Sequence, residues 1–135
     1  MKPFLDTNLL VYAQTSDPKA EAAREAILSG GAISVQVLNE FAAVLRRKFK
    51  RDWDEIAQAV ADVRITLDPV RPISVETHAA AVDLARRHGF SFYDALIVAS
   101  ALEANCDTLL TEDLQTGRVV EGLTIVNPFA SPHDA

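Results

Sequence analysis

The chain has 135 residues, of which 49% are hydrophobic and 24% charged; that is one domain's worth of ordinary globular composition and excludes a disordered or collagen-like polypeptide. Its 13 Lys and Arg against 19 Asp and Glu give a net charge of −6, which argues against gripping nucleic acid by bulk charge alone but leaves contact through metal ions open. Cys106 is the single cysteine and fits a reducing compartment; a carboxylate at Asp6 interrupts any signal-peptide core, and the apolar runs fall short of the roughly 18 residues a span needs, so a cytoplasmic protein with no membrane segment is expected.

In chain order, residues 2–5 read as a short strand, and Asp6-Thr7-Asn8 supplies cap and turn chemistry for a helix starting at Leu9-Leu10-Val11-Tyr12. Asp17-Pro18 starts a second helix that stops at Gly30-Gly31. Residues 32–34 form a buried strand, and residues 35–50 a helix with Val37, Phe41, Val44 and Leu45 on one stripe. Asp52 opens another helix, which Asp68-Pro69 breaks, and residues 70–73 form a strand that Pro72 places at a sheet edge. Helices follow from Ser74 to His88 and from Phe92 to about Asn105, the second capped by Ser91. Residues 106–110 form a strand, 111–117 a polar loop and 123–126 a last strand. One domain over 1–130 is expected, with a frayed tail at 131–135. Short apolar strands alternating with helices predict a short, mostly parallel central sheet of about five strands with helices on both faces. Ligands of such sheets sit beyond the carboxyl ends of the strands.

Four acidic residues belong to that end. Asp6 follows the first strand, Glu40 lies early in the helix after the second, Asp94 opens the helix before the fourth, and Asp113 follows the fourth. Asp6 and Asp113 taken singly read as turn or cap residues, and Asp94 fits a capping position three residues after Ser91. Capping does not explain the apolar neighbours of two of them. Ile97 and Val98 follow Asp94 at helical spacing, and Val37 and Val44 flank Glu40 in the same way. Carboxylates directed inward cost several kcal/mol unless paired, and no Lys or Arg lies in the neighbouring turn of either stripe. The set therefore predicts a cation site. All-oxygen ligands with no His or Cys nearby favour Mg2+ or Mn2+ over Zn2+, and no single acidic loop suits Ca2+.

Phe4-Leu5-Asp6-Thr7-Asn8, Asn39-Glu40, Phe92-Tyr93-Asp94-Ala95-Leu96-Ile97 and Leu110-Thr111-Glu112-Asp113-Leu114 occur in that order, and the pattern resembles the PIN domain, in particular the VapC-like toxins of toxin–antitoxin pairs. The resemblance implies a three-layer α/β/α fold and a metal-dependent ribonuclease. In that reading Asp6, Glu40, Asp94 and Asp113 match the acidic quartet, and Asn8 and Thr111 the polar positions that hold it together. It further implies RNA as substrate, one or two Mg2+ or Mn2+ ions, a homodimer and a cognate antitoxin.

The basic segment Arg46, Arg47, Lys48, Lys50 and Arg51 is the candidate RNA contact, against the reading of a solvated helix end. Trp53 is expected where two helices meet, Tyr12 in the core, and His78 and His88 in solvent. An aspartyl phosphatase would need a second Asp where Asn8 stands, and a receiver-like domain would need a paired acidic cluster after the first strand and a late Lys. The alternative that survives is a catalytically silent PIN-like RNA-binding or regulatory protein.

Overall fold

The computed structural model describes residues 2–130; the expected tail at 131–135 lies outside the described residues. The elements are β1 (Phe4–Leu5), α1 (Thr7–Tyr12), α2 (Ala20–Leu28), β2 (Ile33–Ser34), α3 (Val35–Arg47), α4 (Trp53–Thr66), β3 (Val70–Arg71), α5 (Val75–His88), α6 (Phe92–Glu103), β4 (Thr108–Leu110), β5 (Val119–Val120) and β6 (Leu123–Val126). Helix starts follow local chemistry. Asp52 and Ser74 open α4 and α5 as capping boxes, with Glu55 and Thr77 returning the bond, and Ser34 and Ser91 cap α3 and α6. Gly89 ends α5 in the left-handed conformation at φ 77°, which glycine adopts without steric cost.

The central sheet has four strands in the order β1-β4-β6-β5, all parallel except β5, which turns back on β6. β2 and β3 form a second parallel pair, joined to β1 by a bridge between Phe4 and Ala32. The expectation of about five strands in one sheet thus becomes four plus an attached pair. The added strand, β5, is two residues long and lies in a stretch with no alternation to mark it. Pro72 follows β3, which pairs only with β2 and is therefore an edge, as expected. Several elements are shorter than their sequence signals: α3 stops at Arg47 before Lys50 takes φ 57°, and β4 begins at Thr108, leaving Cys106 buried just ahead of it.

The core runs between the sheet and the helices. Phe4, Leu5, Ile33, Leu109, Leu123 and Ile125 of the strands meet Leu9, Val37, Phe41 and Leu45, all fully buried. Residues 95–101 of α6 are buried without a polar face, as in a helix enclosed on all sides. Gly31 lets the chain pass close to β1: a Cβ there would stand 2.6 Å from the Pro3 carbonyl oxygen and 2.5 Å from Leu5 Cδ1. Two side chains depart in part from expectation. Trp53 stands where α3 and α4 meet, but it is 62% exposed, and what covers its ring is the Arg46 guanidinium of α3 at 5.1 Å. Tyr12 is half-buried, because its hydroxyl reaches out to Glu112.

Candidate active site

β1 is flanked by Ala32 and β2 on one side and by β4 on the other: the chain crosses from β1 to β2 on the first side and later from β3 to β4 on the second. Its carboxyl end is the switch point of the sheet, where an open crevice forms. Asp6 and Thr111 leave β1 and β4 side by side there, with the Asp6 amide bonded to the Leu110 carbonyl at 2.9 Å.

Asp6 is 5% exposed. Its Oδ1 accepts the Thr7 amide at 2.6 Å, which caps α1, and its Oδ2 accepts the Thr111 hydroxyl at 2.8 Å. Thr111 Oγ1 in turn accepts Asn8 Nδ2 at 3.3 Å and the Asp113 amide at 3.1 Å, using its single donor and both lone pairs. Asn8 Nδ2 also donates to Asp113 Oδ2 at 3.1 Å. On the other side Thr7 Oγ1 donates to Glu40 Oε2 at 3.0 Å, and Gln36 Nε2 to Glu40 Oε1 at 3.1 Å. One hydrogen-bonded chain thus runs from α3, across the end of β1, to the loop after β4. It holds Asp6, Glu40 and Asp113, with Asn8 and Thr111 as linking residues. Burial, and then the charges of Asp113 and Glu40, push the Asp6 carboxyl up to about 6 against the opposing bonds from Thr111 and Thr7.

Asp94 stands apart from this chain. Its amide is bonded to the Ser91 hydroxyl at 3.3 Å, and among the described residues its carboxylate has no hydrogen-bond partner. It and Glu40 are half-buried rather than directed into the core: they sit at the margins of their helices' apolar stripes. Among the described residues no three carboxylate, imidazole or thiolate groups stand together as a ready metal cage. The donor chemistry nevertheless suits a hard cation. Every candidate ligand is an oxygen, Asp6 carries a charge that burial disfavours, and Asn8 Oδ1 is buried with no hydrogen-bond partner. The Asn8 amide is fixed this way round because its nitrogen serves both Thr111 and Asp113.

Three contributors carry no sequence signal of their own. Thr7 bridges Asp6 and Glu40 and lies unmarked between Asp6 and Asn8; Gln36 is legible only as the residue four before Glu40 on α3. Glu112 faces away from Asp113 and fastens their shared loop, accepting the Tyr12 hydroxyl at 2.6 Å and Lys19 Nζ at 2.9 Å. The basic segment is divided. Arg51 is bonded to the Gln14 side chain and carbonyl, and Arg46 to the Arg51 carbonyl. Lys48 and Lys50 are exposed. Arg47 reaches a groove of about 490 Å³ beside Glu40, between α3 and the start of α6. His78 is exposed as expected, with its ring on Phe92; His88 is half-buried and meets Glu121 at 3.2 Å.

A parallel sheet with acidic side chains gathered at its switch point defines the class: an α/β protein whose site is built to be anionic. The sequence profile of the PIN domain matches residues 4–121, and the chain belongs to that family. No curated protein sequence matches the chain. Among solved structures it is similar to a toxin–antitoxin complex from Klebsiella pneumoniae, with TM-score 0.72 and 20% identity over 94% of this chain and 98% of that one. It is also similar to VapC20 of Mycobacterium tuberculosis, described as a sarcin-ricin loop cleaving toxin, with TM-score 0.65 and 22% identity over 78% of this chain and 85% of that one. A third is VapBC2 of Rickettsia felis bound to a DNA fragment from its promoter, with TM-score 0.64 and 24% identity over 93% and 97%. At these identities the likeness establishes the fold.

Proposed function

We propose that this PIN-domain protein is a Mg2+- or Mn2+-dependent RNA endonuclease and the toxin of a toxin–antitoxin pair. The observation that carries the reading is the buried Asp6 carboxyl. It is raised to about 6 by burial and by the Asp113 and Glu40 charges, and it lies on a hydrogen-bonded chain that includes an orphaned amide oxygen of Asn8. Such an arrangement is costly in isolation and is relieved by a cation. Asp6, Glu40, Asp94 and Asp113 would hold the ion, with Asn8 Oδ1 as a further oxygen. When bound, a divalent ion supplies charge neutralisation on a phosphodiester and lowers the pKa of water.

The protein's own groups supply orientation and proton handling. Thr7 and Thr111 fix the Asp6 oxygens, and Asn8 fixes Asp113. A carboxylate of the set takes the proton of the attacking water. The water oxygen bonds to phosphorus in line with the bond to the 3′-oxygen, which breaks; the departing 3′-oxygen takes a proton from solvent water, leaving a 5′-phosphate and a 3′-hydroxyl. The same reading includes a homodimer and an inhibitory antitoxin. The apolar surface available for them includes a groove of about 290 Å³ between α1, α2 and α4, bordered by Leu10, Ile27, Leu28 and Val63. No helix among the described residues is long and apolar enough to cross a membrane.

Two observations favour the alternative of a silent RNA-binding protein: Asp94 is outside the hydrogen-bonded chain, and among the described residues no three ligands are preassembled. Incubating a mixed-sequence RNA with the protein in Mg2+, Mn2+ or EDTA separates the two readings. The nuclease reading expects metal-dependent cleavage that Asp6→Asn and Asp94→Asn each abolish while the circular dichroism spectrum is unchanged. Intact RNA in both metals supports the silent protein.

A further inference from the structure

The loop after β4 is held from two sides, and only the inner one belongs to the acidic end of the sheet. On that side Asp113 has its amide on Thr111 Oγ1 at 3.1 Å and one carboxylate oxygen on Asn8 Nδ2 at 3.1 Å; the residue is exposed, and among the described residues its other oxygen has no partner. On the outer side both oxygens of Glu112 are engaged. Oε1 accepts the Tyr12 hydroxyl at 2.6 Å and Oε2 accepts Lys19 Nζ at 2.9 Å. The Lys19 ammonium also lies 5.2 Å from the Tyr12 ring centre and 5.6 Å from that of Phe129, and the two rings meet edge to face at 5.2 Å. Phe129 is tied to the far end of the same loop: its amide donates to Asn127 Oδ1 at 2.9 Å, and the Asn127 amide donates to Thr116 Oγ1 at 3.0 Å. The end of α1, the residue before α2, the loop and the segment after β6 thus close on a single carboxylate. The Lys19 side chain is 44% exposed, and an ion pair so open to solvent adds little to global stability. Its effect is local: Glu112 and Asp113 share one planar peptide, so fixing the first fixes the second.

Resting on the endonuclease reading, we infer that Glu112, clasped by Tyr12, Lys19 and Phe129, is a positioning residue that sets where the Asp113 carboxylate stands in the cation site without touching the cation. Asp6 is buried and has Thr7 and Thr111 on its two oxygens; Asp113 is exposed and has only Asn8, so its placement depends on the outer side of the loop. Positioning differs from a plain charge effect in sign. Lys19→Met takes a positive charge away from an anionic site, which by Coulomb attraction alone tightens cation binding. Release of the loop weakens it.

The test uses the full chain and two readouts: solvent exchange of the Asp113 amide by NMR without metal, and Mn2+ affinity by calorimetry. Lys19→Met and Tyr12→Phe should each speed exchange at Asp113 by about 2- to 10-fold, the worth of one hydrogen bond, with no change at the Thr124 amide, which is bonded to the Asp107 carbonyl at the other end of β4. Both should weaken Mn2+ binding by about tenfold, the lower end of the range for groups that orient a ligand, and Lys19→Arg should keep both readouts at the wild-type level. Unchanged exchange at Asp113 in both variants overturns the inference. Equal acceleration at Thr124 overturns it too, since the whole fold is then loosened, and so does tighter Mn2+ binding by Lys19→Met, which marks Lys19 as a charge alone. If the wild type binds no Mn2+ while the Asp113 amide responds as expected, the endonuclease reading fails and the positioning of Asp113 stands.

Discussion

Asp6→Asn is expected to inactivate the protein and, without divalent ions, to stabilise it. The carboxyl moves from its ordinary 3.8 to about 6 on folding, because burial, then the Asp113 and Glu40 charges, outweigh the bonds from Thr111 and Thr7. The folded state therefore binds a proton more tightly than the unfolded state. The stability tied to that proton is fully present below about 3.8 and lost as pH rises through about 6. The displacement is equivalent to roughly 3 kcal/mol at neutral pH and above. An asparagine removes the charge but puts an NH2 where an oxygen accepted from Thr111 or Thr7, at a cost of about 1–2 kcal/mol. The net expectation at pH 8 is a gain of about 1–2 kcal/mol, or about 3–7 °C in melting temperature for a chain of this size. Near pH 4 the gain disappears and the poorer fit of the amide remains. Melts of both proteins by calorimetry in EDTA, from pH 4 to 8, read this directly. An Asp6→Asn protein that melts at or below the wild type at pH 8, or a difference that does not change with pH, would refute the reasoning that Asp6 holds an uncompensated buried charge.

Thr111→Val removes the donor to Asp6 and the shared acceptor of Asn8 and Asp113. It should cost about 1–3 kcal/mol in chemical denaturation and raise the Asp6 carboxyl further, which carbonyl-carbon NMR titration would register as a later midpoint. Gly31→Ala would press a methyl group to 2.6 Å from the Pro3 carbonyl oxygen, which is backbone and cannot swing away. A loss of more than about 2 kcal/mol is expected in urea unfolding, and a neutral result would mean that β1 and its neighbour separate easily.

The legible parts of the structure were those set by local chemistry. Asp52, Ser74, Gly89 and Ser91 mark helix ends by side-chain capping or backbone freedom, and the start of α4, both ends of α5 and the start of α6 fall on them. β5 was illegible because two residues, Val119 and Val120, cannot show an alternation, and only pairing with β6 defines them. In the site, Asp6 and Asp113 were legible from their places after strands, and Asn8 and Thr111 from the family pattern. Glu40 and Asp94 have apolar neighbours at helical spacing, yet both are half-buried. A stripe position at the margin of a helix's buried face opens onto a groove as readily as onto a core, and periodicity does not separate the two. The basic run likewise read as one patch. Folding divides it because Arg51 and Arg46 turn back to satisfy backbone carbonyls near the ends of α1 and α3, which leaves Arg47 at the groove.

The most direct test of the account is a calorimetric titration of Mn2+ into the wild type, Asp6→Asn and Asp94→Asn at pH 7.5. Side chains from four separated stretches acting as one cation site should give saturable binding to the wild type that each substitution weakens by more than about tenfold. Identical Mn2+ isotherms for all three proteins would contradict it.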